Sequence, residues 1–386
     1  MANFTLPFFS KKPKAPKKKK GFLREWFDAL VWAAGVAILI RTFLIEAYVI
    51  PTASMERSLL VGDYLFVSKF HYGARLPMVP LAVPFVHNRL PGTNTKSYLD
   101  WIEFGYARLP GITSIKRGDA VVFNYPADDI QPNNPQLGPV DIASVKENYI
   151  KRCTGVAGDT LEVRAGVVYV NGEAQPFPAG YQALYLVRTN GEPFNRKALE
   201  RLGIRPDPAP MNPNGDYVVN PYDRKLYQFR VPPSVAEELK KFGNVVELVA
   251  DTSLKAGIAA DDVFPYDPKQ FPWNTDYVGP FVLPKAGMTL ALTPQNAKLY
   301  QRCIQVYEGN TNYAVKDGKA YLGEAPLEEY TFRLNYYYMM GDNRYNSQDS
   351  RVWGFVPESH IVGKPLFIFF SREDKVRWNR IFKGID

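Results

Sequence analysis

The sequence predicts a mainly β protein: one N-terminal transmembrane helix, then a β-rich body interrupted by a large α+β insertion. Three observations carry that prediction. A single apolar run of helical length lies near the N-terminus, directly after a lysine cluster. Beyond it, apolar residues recur with period two in short segments rich in Val, Ile, Tyr and Phe. Gly-Asp and Asn-Gly pairs punctuate those segments, and 32 prolines with 14% aromatics suit strands and turns better than a helical bundle.

Residues 1–25 form a basic tail. The eight cations within residues 1–24, with no acid among them, account for the whole formal charge of +8. The rest of the chain is neutral, so charge gives no argument for a nucleic-acid partner. Residues 26–46 read as the transmembrane anchor. The uncharged centre, 29–40, covers only ~18 Å at ~1.5 Å per residue, less than the roughly 30 Å hydrocarbon core, so the span needs both flanks. Asp28 and Arg41 lie close enough to its ends to reach the interface. A buried core helix or a cleaved secretory signal would use a similar run. The polybasic approach, Trp26 at the edge and the lack of a small-x-small cleavage site before Pro51 favour an anchor in the lipid bilayer. The positive-inside rule then sets the N-terminus in the cytoplasm and the body on the periplasmic or extracellular side of the inner membrane.

Strand patterns follow at 47–50, 64–69, 120–125, 149–154, 160–164, 167–170, 336–340 and 366–370. Gly62-Asp63, Gly118-Asp119 and Gly158-Asp159 each open a strand, Gly341-Asp342 follows one, and Asn171-Gly172 and Asp317-Gly318 signal tight hairpins. The body therefore comprises 47–171 and 335–386, with 172–334 as an inserted α+β lobe. Inside the lobe, Ser234 and Glu237 form a capping-box pattern after two prolines, with Val235, Leu239 and Phe242 on one face. Thr293-Pro294 opens a second helix bearing Ala297, Tyr300, Ile304 and Tyr307. Segment 71–114, dense in proline and aromatics, reads equally as a membrane-skimming loop or a surface extension. Two cysteines exclude a disulfide framework; Cys153 and Cys303 read as separate buried thiols, with a single bridge left open. His71, His87 and His360 have no metal-ligand spacing, and neither a metal nor an organic cofactor is called for.

Ser54, just past the anchor in Pro51-Thr52-Ala53-Ser54-Met55, is the candidate nucleophile. A serine hydroxyl needs a base to attack at neutral pH. The chain has no Gly-x-Ser-x-Gly elbow and no serine followed at the third position by lysine. Lysine can serve once burial lowers its pKa, and Lys151 lies within an apolar strand pattern beside Tyr149 and Cys153. Lowering its pKa from ~10.4 to about 8 costs roughly 3 kcal/mol, within reach of burial.

Four blocks, in order, give the chain a family resemblance. They are Pro51 to Met55 with Leu59 and Gly62-Asp63; Arg117-Gly118-Asp119 through Phe123 and Pro126; Tyr149-Ile150-Lys151-Arg152 through Gly158-Asp159; and Gly341-Asp342-Asn343-Arg344 through Ser347, Asp349, Arg351 and Trp353-Gly354. Together they resemble the type I signal peptidases, membrane-anchored Ser/Lys leader peptidases. The resemblance implies a signal-peptidase-like β body and a serine endopeptidase that removes signal peptides from exported preproteins after small-x-small sites. By position it makes Ser54 the nucleophile, Lys151 the base and Ser347 the group orienting the amine. Thr52 and the Ser54 N–H form the oxyanion hole, and Asp349 with Arg351 gives structural support. Tyr48, Ile50, Pro51, Met55, Leu59, Asn148, Tyr149 and Ile150 match the substrate pockets. Alternatives are a catalytically silent tethered paralogue and a Ser/Lys self-cleaving regulator; intact Ser54, Lys151 and Ser347 count against the first. Ala53, Thr52, Ala157 and Tyr345 depart from the usual glycine, serine, proline and aspartate.

Overall fold

In the computed structural model, the apolar run forms one helix, Phe22–Phe43, none of whose residues is buried. The structure describes residues 21–79, 104–127, 146–205, 215–251 and 254–385, with Ala143 and scattered positions from 92 to 102. The lysine cluster lies outside the described residues. The helix is long and apolar enough to cross a membrane. It begins and ends earlier than the expected 26–46, because Ile45–Val49 is drawn into a sheet, where Ile45 faces Ser68 and Glu46 faces Val67. Glu46 anchors that junction, lying 2.7 Å from both Arg41 Nε and Lys69 Nζ and accepting the Tyr48 hydroxyl.

The central sheet has seven strands. Their order is Ile45–Val49, Asp63–Ser68, Ile361–Ser371, Ala120–Asn124, Asn148–Gly155, Tyr336–Met340 and Val356–Pro357, with every neighbouring pair antiparallel. The last long strand thus lies between early ones, and the body closes only when the chain's last part is in place. Alternation builds both faces. Val122 packs with Ile50, Met55, Leu59, Leu65, Val67 and Ile368. Val121 and Phe123 pack on the other side with Cys153, Met339 and Trp353. Gly62 turns into its strand at φ +81°, and a Cβ there would stand 1.9 Å from the Arg372 carbonyl oxygen.

The 172–334 stretch is not one lobe. Strands Ala183–Thr189, Tyr217–Val219, Leu226–Val231 and Val245–Ala250 form a sheet of their own, packed with two short helices around Val187, Leu199, Phe229 and Leu239. The later part belongs to the body. Val278–Val282 pairs with Thr160–Arg164, and Tyr300 and Phe332 share a core with Leu161, Tyr338 and Phe355. The expected boundary moves because body strands on both sides of the insertion need those residues to cover them.

Locally, the helix Pro233–Leu239 starts one residue before Ser234. Proline occupies its first turn, and no side chain caps it, so the expected capping box does not form. Thr293 does cap Pro294–Leu299, accepting from the Asn296 N–H. That helix is short, and a π turn, Cys303–Tyr307, continues it. Both cysteines are free and buried in different cores. The base of the proline-rich extension is stitched to the body: Arg75 donates to the Ser359 carbonyl and Arg108 to those of Gly73, Glu358 and Ile361. Trp101 and Phe104 on this extension are exposed. Pro80, Pro84, Phe85 and Pro91 lie outside the described residues.

Candidate active site

The nucleophile turn follows the first strand. Two backbone bonds close its neck, Ile50 N–H donating to Asp63 O and Gly62 N–H to Ile50 O. A single 3-10 turn, Ala53–Met55, carries Ser54 at its centre. Met55 and Leu59 are sealed in the core below, so hydrophobic burial fixes the height of the turn. Ala53 has no positive φ, so its methyl meets no left-handed backbone, and alanine fits where the family usually has glycine.

Lys151 comes from the opposite wall, in Asn148–Gly155, paired with Val121. Its side chain is buried, and Nζ lies 2.5 Å from Ser54 Oγ. Burial pulls the amine's pKa down to about 8. Asp349 and Asp342 oppose that shift and Arg351 reinforces it, but the loss of hydration dominates. The amine is therefore positioned to accept a proton from the hydroxyl that it touches. His360 is buried and held neutral, its pKa pushed well down by burial, and His71 bonds Ser68; neither is part of this pair.

The Thr52 hydroxyl stands 3.5 Å from Ser54 Oγ on the open side of the turn, too far for a firm bond between hydroxyls. Ser347 is half-buried, and its hydroxyl donates to the Gln348 carbonyl at 3.4 Å rather than to Lys151. It lies against Gly341: a Cβ there would be 2.3 Å from Ser347 Oγ and 2.7 Å from the Ser54 carbonyl oxygen. The Asp349–Arg351 pair is wholly buried, with two 2.8 Å contacts, and Asp349 also accepts from the Gly341 N–H. Burial raises the Asp349 pKa, but Arg351 outweighs it and leaves the carboxyl below its usual range.

Three contributors lay unassigned in the sequence. Asn343 staples the turn: its N–H donates to the Ser54 carbonyl at 3.1 Å, and its side-chain amide to the Ala53 carbonyl at 3.2 Å. Arg152 holds Asp342 through two 2.7 Å bonds, and Ser58 donates to the same carboxylate at 2.6 Å. This ties the lysine strand, the nucleophile turn and the last block together. The third is Tyr345, whose departure from aspartate now has a partner: its hydroxyl donates to Asp276 at 3.2 Å, a carboxyl whose pKa burial raises.

A cleft of about 180 Å3 opens beside the pair. Tyr48, Ile50, Pro51, Met55, Asn148, Tyr149 and Ile150 line it, as expected; Val49, Leu65, Val122 and Glu147 do so as well. Leu59 does not. It is fully buried beneath the turn, a core residue rather than a pocket wall. The cleft runs between Ile45–Val49 and the start of the lysine strand. Ile45–Val49 is the outermost strand of the seven, and the pairing of Tyr336–Met340 to the lysine strand ends at Arg152.

The family model described as signal peptidase, peptidase S26, matches residues 23–222 and 295–370. The chain belongs to this signal peptidase family. Among its relatives, signal peptidase I of Pseudomonas aeruginosa is 31% identical over 209 residues, 52% of this chain and 59% of that protein. Signal peptidase I of Helicobacter pylori strain J99 is 22% identical over 382 residues, covering 95% and 92%. That of Haemophilus influenzae is 24% identical over 384 residues, covering 94% and 75%. Against the Pseudomonas relatives the match thus spans about three fifths of their length. The signal peptidase model passes over 223–294. Those residues hold the last two strands of the separate sheet and the strand Val278–Val282.

Proposed function

We propose that the chain is a membrane-anchored serine endopeptidase that cuts signal peptides from exported preproteins. The observation that carries this reading is the 2.5 Å approach of a buried, easily deprotonated amine to Ser54 Oγ, in a cleft beside the outermost strand of the sheet. A preprotein segment binds there as an added strand. Its alternate side chains point one way, so the residues one and three before the cut enter neighbouring shallow pockets that admit small groups.

Neutral Lys151 takes the Ser54 proton as Oγ bonds to the scissile carbonyl carbon. The Ser54 N–H and the Thr52 hydroxyl hold the oxyanion. The lysine ammonium then protonates the leaving amine, and water, deprotonated by the same amine, releases the acyl group from Ser54. Ser347, whose hydroxyl points to the Gln348 carbonyl in the free protein, takes the third position by turning toward the amine, and Asp349 with Arg351 braces the loop. The helix Phe22–Phe43 anchors the body in the bilayer; the lysine cluster before it argues for a cytoplasmic N-terminus and a periplasmic or extracellular body. No nucleic acid takes part.

The test is cleavage of a preprotein bearing an Ala-x-Ala site by the detergent-solubilised chain. Ser54→Ala and Lys151→Ala are each expected to abolish it. Undiminished cleavage by either would remove that residue from the mechanism.

A further inference from the structure

Behind the Lys151 strand lies a second and larger cavity, of about 360 Å3. Successive strand residues face opposite ways, so Lys151 enters the cleft of the catalytic pair while Arg152 enters this cavity. The nucleophile turn is shared in the same manner, with Ser54 and Met55 on one side and Arg57 and Ser58 on the other.

The lining is strongly cationic: Arg57, Arg117, Arg152, Arg344 and Lys383, with no acidic side chain among the described residues that form it. Two of these cations are neutralised from the wall. Arg117 is paired with Asp159 and Arg152 with Asp342. Arg57, Arg344 and Lys383 have no ion pair among the described residues. Arg344 is buried and donates only to backbone carbonyls, those of Gly341 and Gly166. Arg57 is odder still. Its backbone sits at φ +72°, its Nη2 is sealed from solvent without a hydrogen-bond acceptor, and its Nη1 lies 2.8 Å from where a Cβ on Gly203 would stand. A buried guanidinium nitrogen without an acceptor is costly unless something supplies one. Planar guanidinium groups favour oxyanions that offer two acceptors. Phe177 adds an apolar flank.

We propose that this cavity is a second ligand site, which binds a phosphate-type oxyanion between Arg57 and Arg344 with Lys383 at its rim. The proposal does not depend on the proteolytic reading. The anion comes from solution or from a phospholipid headgroup. In either case it would join the nucleophile turn to the last block from the side opposite the substrate.

The experiment is thermal unfolding of the full chain in neutral detergent, titrated with potassium phosphate against potassium chloride at equal ionic strength. A parallel titration uses micelles doped with phosphatidic acid or with phosphatidylcholine. Parent protein should show saturable stabilisation by phosphate beyond chloride, or by phosphatidic acid beyond phosphatidylcholine; which of the two responds identifies the source. Arg57→Gly, suited to the positive φ, should weaken the response about tenfold. Lys383→Gln, at an exposed site, should weaken it about threefold and serves if the first variant does not fold. A parent response no greater than the chloride and phosphatidylcholine controls, or one unchanged in the folded variants, overturns the site.

Discussion

The pH profile of cleavage tests the Ser54–Lys151 pair most directly. An ordinary lysine near 10.5 would be neutral in about 0.03% of molecules at pH 7, whereas one at about 8 is neutral in about 9%, a gain of about 300-fold in competent enzyme. The rate constant kcat/KM should therefore rise tenfold per pH unit below 8 and level off above it. The same shift has a stability signature. The folded pKa lies below the unfolded one, so from pH 8 to 10.5 the unfolded chain binds more protons, and folding stability rises with pH. Below pH 8 the buried amine costs about 3 kcal/mol, a penalty that fades as the pH climbs through the unfolded value. Lys151→Met keeps the volume and removes the charge. In denaturant titrations the variant should be the more stable at pH 7, less ~1 kcal/mol for the lost bond to Ser54, and the gap should close toward pH 10.5. A kcat/KM curve that climbs unbroken past pH 9.5, with a pH-independent stability difference, would refute the buried-amine mechanism.

Thr52→Val should lower kcat about 10²- to 10³-fold with little change in KM, while Thr52→Ser retains most activity; steady-state kinetics on a preprotein separates the two. Asp349→Asn leaves Arg351 buried without its counter-charge and should cost about 3–5 kcal/mol, read as a lower denaturation midpoint. Because the Asp349 pKa is depressed, the stability that this carboxylate contributes is present above its unfolded value and is lost as pH falls through the folded one. The parent should therefore lose its advantage over Asp349→Asn only in acid. Gly341→Ala should reduce kcat at least tenfold with the fold intact by circular dichroism, because the new methyl would press on both Ser347 and the Ser54 carbonyl.

What was legible in the sequence divides along a physical line. Strands such as Thr160–Arg164, Val167–Val170 and Tyr336–Met340 were readable to the residue, because a half-buried strand writes its alternation into the chain. The Asn171-Gly172 and Asp317-Gly318 turns were readable because both residues of each take positive φ. The helix ends were not: no local signal says that Ile45 and Glu46 will be claimed by Asp63–Ser68. Leu59 looked like a pocket residue by position, yet it is a core plug, since the turn above it reverses direction. Asn343 and Asp342 lay in plain view within the last block. Their partners, Ala53, Ser54, Ser58 and Arg152, are far away along the chain, and only the folded arrangement pairs them.

The fourth Gly-Asp pair shows how this division bears on mechanism. Gly62, Gly118 and Gly158 all have positive φ and serve as turn residues. Gly341 does not, so conformational freedom is not its use. It is small because Ser347 and the Ser54 backbone occupy the place of its side chain. The nucleophile and the last block are thus separated by the width of one missing methyl and locked together by Asn343 and the Arg152–Asp342 pair. From the helix end at Phe43, the five-residue strand Ile45–Val49, a reach of about 17 Å at ~3.3 Å per residue, and the short turn after it lead to this junction. An anchored chain would therefore hold its catalytic pair at a nearly fixed height above the bilayer. A preprotein tethered by its own apolar helix would present its cleavage site within the same shallow layer, so part of the entropic cost of bringing the two together is already met by both anchors.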